Sequence, residues 1–231
     1  MMTTFGSDDC ETVPVKQTIL DELLREILSS RVYDVAKETP LESAAKLTSR
    51  LENRVSLKRE DLQPIFSFKV RGAYNKIAQL SDEEQSKGVI TASAGNHAQG
   101  VAFAAKRLGT RAVIVMPQTT PAIKVDAVAE MGAEVILEGD TFAEAKERCD
   151  ALVIETDLIF VHPFDDPLVV AGQGTIGDEI LRQSKGRPHA VFVPIGGGGL
   201  IAGIGAYIKA IQPNVRAVSY THLTLPTNRE V

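Results

Sequence analysis

The sequence predicts an α/β protein built on parallel sheet, and two observations carry the prediction. Candidate strands are nearly continuous apolar runs, of which Ala112-Val113-Ile114-Val115 is the clearest. They alternate with helical segments of about ten residues, and strands written this way are covered on both faces.

Taken in order, a polar start is followed by Ile19, Leu20, Leu23, Leu24, Ile27 and Leu28 on one helical face, closed by Ser29-Ser30. Thr39-Pro40-Leu41 reads as a turn or extended lead into a short helix through Leu47, because proline turns its predecessor away from helix. Val55 and Leu57 alternate with polar neighbours as in a short strand, and the charge run Lys58-Arg59-Glu60-Asp61 reads as a solvated turn. Ser67 is a candidate N-cap for a helix running through Leu80. Ser81 to Glu84 caps and opens another.

From there the alternation is regular. Strands are expected at 88–92, 111–116, 134–137 and 158–161, and helices at 96–108, 121–131 and 142–154. The last third repeats the theme, with a helix from about Gly174 to Gln183, a strand at 190–193, a glycine run, a helix near 200–211 and a strand near 215–218.

A formal net charge of -5 without a basic stripe leaves no electrostatic footprint for nucleic acid or an anionic membrane surface. No apolar run reaches spanning length, and Asp8, Asp9 and Glu11 stand where a signal peptide needs basic residues. Cys10 and Cys149 form no disulfide framework, and the histidines lack metal-ligand spacing. The expectation is a cytoplasmic protein with a small-molecule ligand and no metal.

Three stretches carry chemistry. In Ser67-Phe68-Lys69-Val70-Arg71-Gly72-Ala73, Lys69 falls in the first helical turn, where the positive end of the helix dipole lowers an ammonium pKa from about 10.4. An amine that forms an imine needs that depression. Ser93-Ala94-Gly95-Asn96-His97 joins a strand's carboxyl end to a helix's amino end, where open α/β sheets bind ligands and free N–H groups suit a carboxylate or phosphate. The same pentapeptide also reads as a plain turn capped by Asn96.

Gly196-Gly197-Gly198-Gly199-Leu200 has the same context, and four glycines cost enough chain entropy that bare backbone must be needed. It lacks the Gly-Lys-Ser/Thr ending of a nucleoside-triphosphate loop. Gly197, Gly199 and Ala202 match the loose dinucleotide pattern, but no acidic residue follows about twenty positions on. Gly172-Gln173-Gly174-Thr175 reads as a hinge or helix start, and His97, His162 and Asp165-Asp166 as structural. An imine-forming lysine, an anion-binding turn and a phosphate cradle on one α/β chain point together to pyridoxal 5'-phosphate.

These stretches, with Ala171-Gly172-Gln173-Gly174-Thr175, Val115-Met116-Pro117 and Ile123-Lys124-Val125-Asp126-Ala127, resemble the motif set of the biosynthetic threonine dehydratases over roughly residues 30 to 218. Those enzymes are fold-type II pyridoxal-phosphate enzymes of the tryptophan synthase β-like group. The resemblance implies two open, twisted, mostly parallel sheets flanked by helices. It implies a large domain from 1–84 plus 168–218 and a small domain from 85–167.

It also implies β-elimination of L-threonine to 2-oxobutanoate and ammonia, the first step of isoleucine biosynthesis, with L-serine giving pyruvate as a side activity. By position, Lys69 is the Schiff-base lysine and Phe68 packs near the cofactor ring. Asn96 bonds the ring hydroxyl, and Gly196, Gly197, Gly198, Gly199 and Leu200 bind the phosphate. Ser93, with the backbone of Ala94, Gly95, Asn96 and His97, holds the substrate carboxylate. Full-length members are expected to be homo-oligomers.

Serine racemases carry a second serine at the place held here by Ala94, and alanine moves no proton, which favours elimination. A serine racemase or serine dehydratase and an inactive amino-acid-binding fragment are the competing readings, with a nicotinamide oxidoreductase more distant. After Val218 the sequence departs from the family pattern, so residues 219–231 read as a non-native tail on a truncated chain. The partner of the pyridine nitrogen and the regulatory domain are expected to be missing.

Overall fold

The computed structural model describes residues 17–221. The polar start with Cys10 and most of the expected tail, residues 222–231, lie outside the described residues. Helix α1 (Gln17–Leu28) is followed by β1 (Leu41–Ser43), α2 (Ala45–Leu51) and β2 (Ser56–Lys58). The two strands pair antiparallel with Glu42 opposite Leu57, so the lead through Leu41 is extended as expected, and the short helix that follows runs on past Leu47 to Leu51. Helix α3 (Lys69–Ala78) carries the lysine motif, and α4 (Asp82–Lys87) opens on a complete capping box between Ser81 and Glu84.

Next come β3 (Val89–Ala92), α5 (Asn96–Leu108), β4 (Ala112–Met116), α6 (Ala122–Ala129), β5 (Glu134–Leu137), α7 (Phe142–Thr156) and β6 (Ile159–Phe160). The four strands form one parallel sheet in the order β5-β4-β3-β6. Alternate side chains fill two cores. Val89, Ile114 and Met116 meet α3 and α5 through Ala73, Ile77, Val101 and Ala105, whereas Ile90, Ala92, Val113 and Val115 meet Ala145, Cys149 and Leu152 of α7. This double coverage explains the unbroken apolar strands.

Helix α8 (Pro167–Gln183), β7 (Ala190–Pro194), α9 (Gly199–Ile211) and β8 (Arg216–Tyr220) complete the chain, with β7 and β8 parallel. Ser219 and Tyr220, the first residues of the expected tail, continue β8 opposite Val193 and Pro194. Helix α8 begins seven residues before the expected Gly174. Asp166 caps it by accepting from Leu168 N at 2.8 Å and Val169 N at 3.2 Å, and Pro167 occupies its first turn.

Gly172-Gln173-Gly174-Thr175 is therefore neither hinge nor helix start but mid-helix. Its glycines let three helices touch: a Cβ on Gly172 would lie 2.8 Å from Gly72 Cα, and one on Gly203 would lie 2.7 Å from Gly174 N. The helices α3, α8 and α9 are thereby held backbone against backbone.

The run Lys58-Arg59-Glu60-Asp61 is not a simple solvated turn. Arg71 is fully buried and binds Glu60 through Nε and Nη2, each at 2.8 Å, and Glu179 through Nη1 at 2.6 Å. Lys58 Nζ adds a bond to Glu179 at 2.5 Å. Two cations and two carboxylates thus close a network linking the β1–β2 hairpin, α3 and α8.

Candidate active site

Lys69 is half-buried as the first residue of α3. The capping position is held by Phe68 and not by Ser67, whose hydroxyl instead accepts from Lys69 N–H at 3.3 Å. Lys69 Nζ donates to Pro163 O at 2.6 Å and stands 5.5 Å from the centre of the Phe68 ring. Its pKa is lowered, the direction expected, but the cause is burial disfavouring the ammonium and not the helix dipole invoked from the sequence.

The cavity beside Lys69 has a volume of about 240 Å³. Phe68 and Lys69 form one wall, Pro163 and Phe164 of the turn before α8 a second, Gln173 of α8 a third, and Pro194 to Leu200 the fourth. Among the described residues no acidic side chain lines it.

The glycine run does two jobs. A Cβ on Gly197 would lie 2.1 Å from the Phe164 ring and one on Gly199 would lie 2.5 Å from Phe164 O, so those two glycines admit close packing. Among the described residues nothing stands within 4 Å of a Cβ on Gly196 or Gly198, so there bareness leaves free space. Gly198 also takes φ of 96°, a left-handed value that a side chain would strain. It precedes α9 with no side-chain cap and no acidic first-turn residue, which leaves that helix's N–H groups for an anion.

The structure brings Phe68, Lys69, Gly196, Gly197, Gly198, Gly199 and Leu200 together in this one cavity. Ser93, Ala94, Gly95, Asn96 and His97 are not among its lining residues but lie at the β3–α5 junction nearby. A Cβ on Gly100, one turn into α5, would lie 3.0 Å from Lys69 O. Gly95 is the cap residue and Ser93 Oγ accepts from Gly95 N–H at 3.3 Å, so Asn96 does not cap the helix and its exposed amide is free of such a duty. His97 is buried, with Nε2 3.0 Å from Val161 O, and burial pushes its pKa down to about 4.

Sequence reasoning missed Pro163, Phe164 and Gln173. A weak signal existed for the turn, since Phe160, His162 and Phe164 alternate and their rings stack edge to face at 5.7 and 4.7 Å. His162 Nδ1 accepts from Asp165 N at 2.7 Å and fixes that turn, the structural role expected of it. Gln173 stood inside the Ala171 to Thr175 motif but read there as part of a hinge or helix start, because its burial follows from a helix crossing.

An amine and a bare-backbone helix start lining one largely apolar cavity fit a ligand with an aldehyde and a phosphate. The open space at Gly196 and Gly198 leaves room of the kind such a phosphate needs.

Comparison with known proteins agrees. Residues 32–221 match the family described as pyridoxal-phosphate dependent enzyme. The chain is 58% identical over 200 residues to a biosynthetic L-threonine dehydratase of Burkholderia multivorans, covering 85% of this chain and 39% of that protein. It is 57% identical over 197 residues to the biosynthetic chloroplastic threonine dehydratase of Arabidopsis thaliana, covering 85% and 33%. The structure of the processed threonine deaminase isoform 2 of Solanum lycopersicum superposes with a TM-score of 0.88 at 54% identity, over 90% of this chain and 61% of that one. Maize serine racemase superposes with a TM-score of 0.81 at 36% identity, over 86% and 60%. The chain thus spans well under half the length of these curated relatives. Among the described residues no helix is long and apolar enough to cross a membrane.

Proposed function

The chain belongs to the pyridoxal-phosphate dependent enzymes, and on that premise we propose that the whole protein deaminates L-threonine to 2-oxobutanoate and ammonia. The reading includes L-serine to pyruvate as a side activity and a place at the first step of isoleucine biosynthesis. The single observation that carries it is the cavity lined both by Lys69 and by the uncapped start of α9. Identity to threonine dehydratases supports the choice of substrate.

When bound, pyridoxal phosphate supplies an electron sink for negative charge at the substrate Cα. The N–H groups of Gly196 to Leu200 hold its phosphate, Phe68 packs beside its ring and the Asn96 amide meets the ring hydroxyl. Lys69 would hold the aldehyde end through Nζ, and its free amine would take the proton from the substrate Cα. Burial supports that second duty, since a neutral amine is the form that accepts a proton.

Ser93 and the first N–H groups of α5 hold the substrate carboxylate, which fixes the Cα–H bond relative to Lys69. In this reading residues 85–167 form the smaller domain, and residues 1–84 with 168–218 form the larger one. Closure of the smaller domain over the substrate excludes water.

Ala94 supports elimination over racemisation, because a methyl group delivers no proton to the opposite face of Cα. The test is assay of the whole protein with L-threonine and L-serine, with chiral analysis of residual serine. Formation of 2-oxobutanoate with unracemised serine is expected, and D-serine as the main product overturns the assignment.

A further inference from the structure

Gln173 is buried to 1% exposure in the middle of α8, yet its side-chain Oε1 has no hydrogen-bond partner, and its amide takes no part in any hydrogen bond among the described residues. An unpaired buried amide costs about 1–3 kcal/mol, so a methionine of similar shape would serve packing alone better. The amide does have a direction. A Cβ on Gly72 would lie 2.4 Å from Gln173 Nε2, so the bare backbone of α3 one turn past Lys69 makes room for it. Helix α9 crosses α8 at the neighbouring residue, with Gly203 against Gly174, and its first turn opens into the cavity that Gln173 also lines.

We propose that the Gln173 side-chain amide is a cofactor ligand, its Nε2–H donating to the phosphate group seated on the Gly196–Gly199 turn. The inference rests on the cofactor site assigned above. Gln173 and the glycine turn line the same cavity, so Gln173 adds a neutral side-chain donor from α8 to the backbone N–H groups of the turn. A neutral amide suits a place beside Lys69, where a second ammonium would repel the first and a carboxylate would repel the phosphate. The α8 helix, clasped to α3 and α9 through glycines, fixes this donor relative to both the lysine and the turn.

The test compares wild-type protein, Gln173→Met and Gln173→Glu in visible-absorbance titrations with pyridoxal phosphate and with pyridoxal, which lacks the phosphate. Melting of each ligand-free protein is followed by circular dichroism. Gln173→Met is expected to weaken pyridoxal phosphate binding about tenfold, the equivalent of one hydrogen bond of about 1.4 kcal/mol. Its pyridoxal binding should be unchanged and its ligand-free melting temperature should rise. Gln173→Glu should bind pyridoxal phosphate more weakly still.

Equal losses for both ligands would assign Gln173 to positioning Lys69 and overturn the proposal, as would unchanged binding in Gln173→Met. Absence of a visible band in the wild-type protein would instead refute the cofactor site itself. Wild-type binding without a variant effect refutes this inference alone.

Discussion

Lys69 Nζ donates to the main-chain oxygen of Pro163 at 2.6 Å, which ties the first turn of α3 to the turn before α8 across the cavity. That bond holds the amine in place while burial lowers its affinity for a proton. Reaction with an aldehyde requires the neutral amine, so the rate of visible-band formation with pyridoxal phosphate should rise with pH. The midpoint should lie below the ordinary lysine value of 10.5. Stopped-flow absorbance across pH checks this, and a midpoint at the ordinary value contradicts it.

The glycines of the run should separate by function. Gly196→Ala places a methyl in open space, so melting should change little while pyridoxal phosphate binding weakens about tenfold, as for loss of one charge-assisted hydrogen bond. Gly197→Ala drives a Cβ against the Phe164 ring and should destabilise the fold by about 1–3 kcal/mol. Denaturant melts and absorbance titrations of the two variants read both effects.

The regular alternation of buried strands and helices was legible because each depends on local pattern. Helix α5 falls at the predicted residues for that reason, whereas the pairing of Val113 with Ile90 on the α7 face is visible only in the fold. Lys69 and the glycine turn were legible because an amine in a first turn and four glycines are unusual locally. What escaped was set by distant contacts. Gln173 is buried only because α3, α8 and α9 cross at glycines, and Glu60 leaves the solvent only because Arg71 waits for it inside. The start of α8 was legible in Asp166-Pro167 and was overlooked in favour of the glycines that follow.

The buried ion network gives a stability prediction. Glu179 is fully buried against Arg71 and Lys58, and it also accepts from Tyr33 OH at 2.8 Å. Glu179→Leu leaves Arg71 with Glu60 as its remaining carboxylate, and should cost about 3–5 kcal/mol. Urea melts by circular dichroism measure the loss, and a change below about 1 kcal/mol would mean that the network is dispensable.

His97 gives a pH dependence. Burial pushes its pKa from 6.5 down to about 4, so between those values the unfolded chain binds a proton that the folded chain refuses. The contribution is full above pH 6.5 and is lost as pH falls toward 4, by roughly 3 kcal/mol. His97→Gln can keep a donor to Val161 O and should flatten that slope in urea melts at pH 4 to 7.

Reductive trapping shows directly whether the Lys69 amine takes the cofactor. Protein incubated with pyridoxal phosphate, treated with borohydride, digested and examined by mass spectrometry should carry the pyridoxyl group on the peptide containing Lys69. Lys69→Ala should lose both that label and the visible band. Label on another lysine, or an unchanged band in Lys69→Ala, would contradict the account.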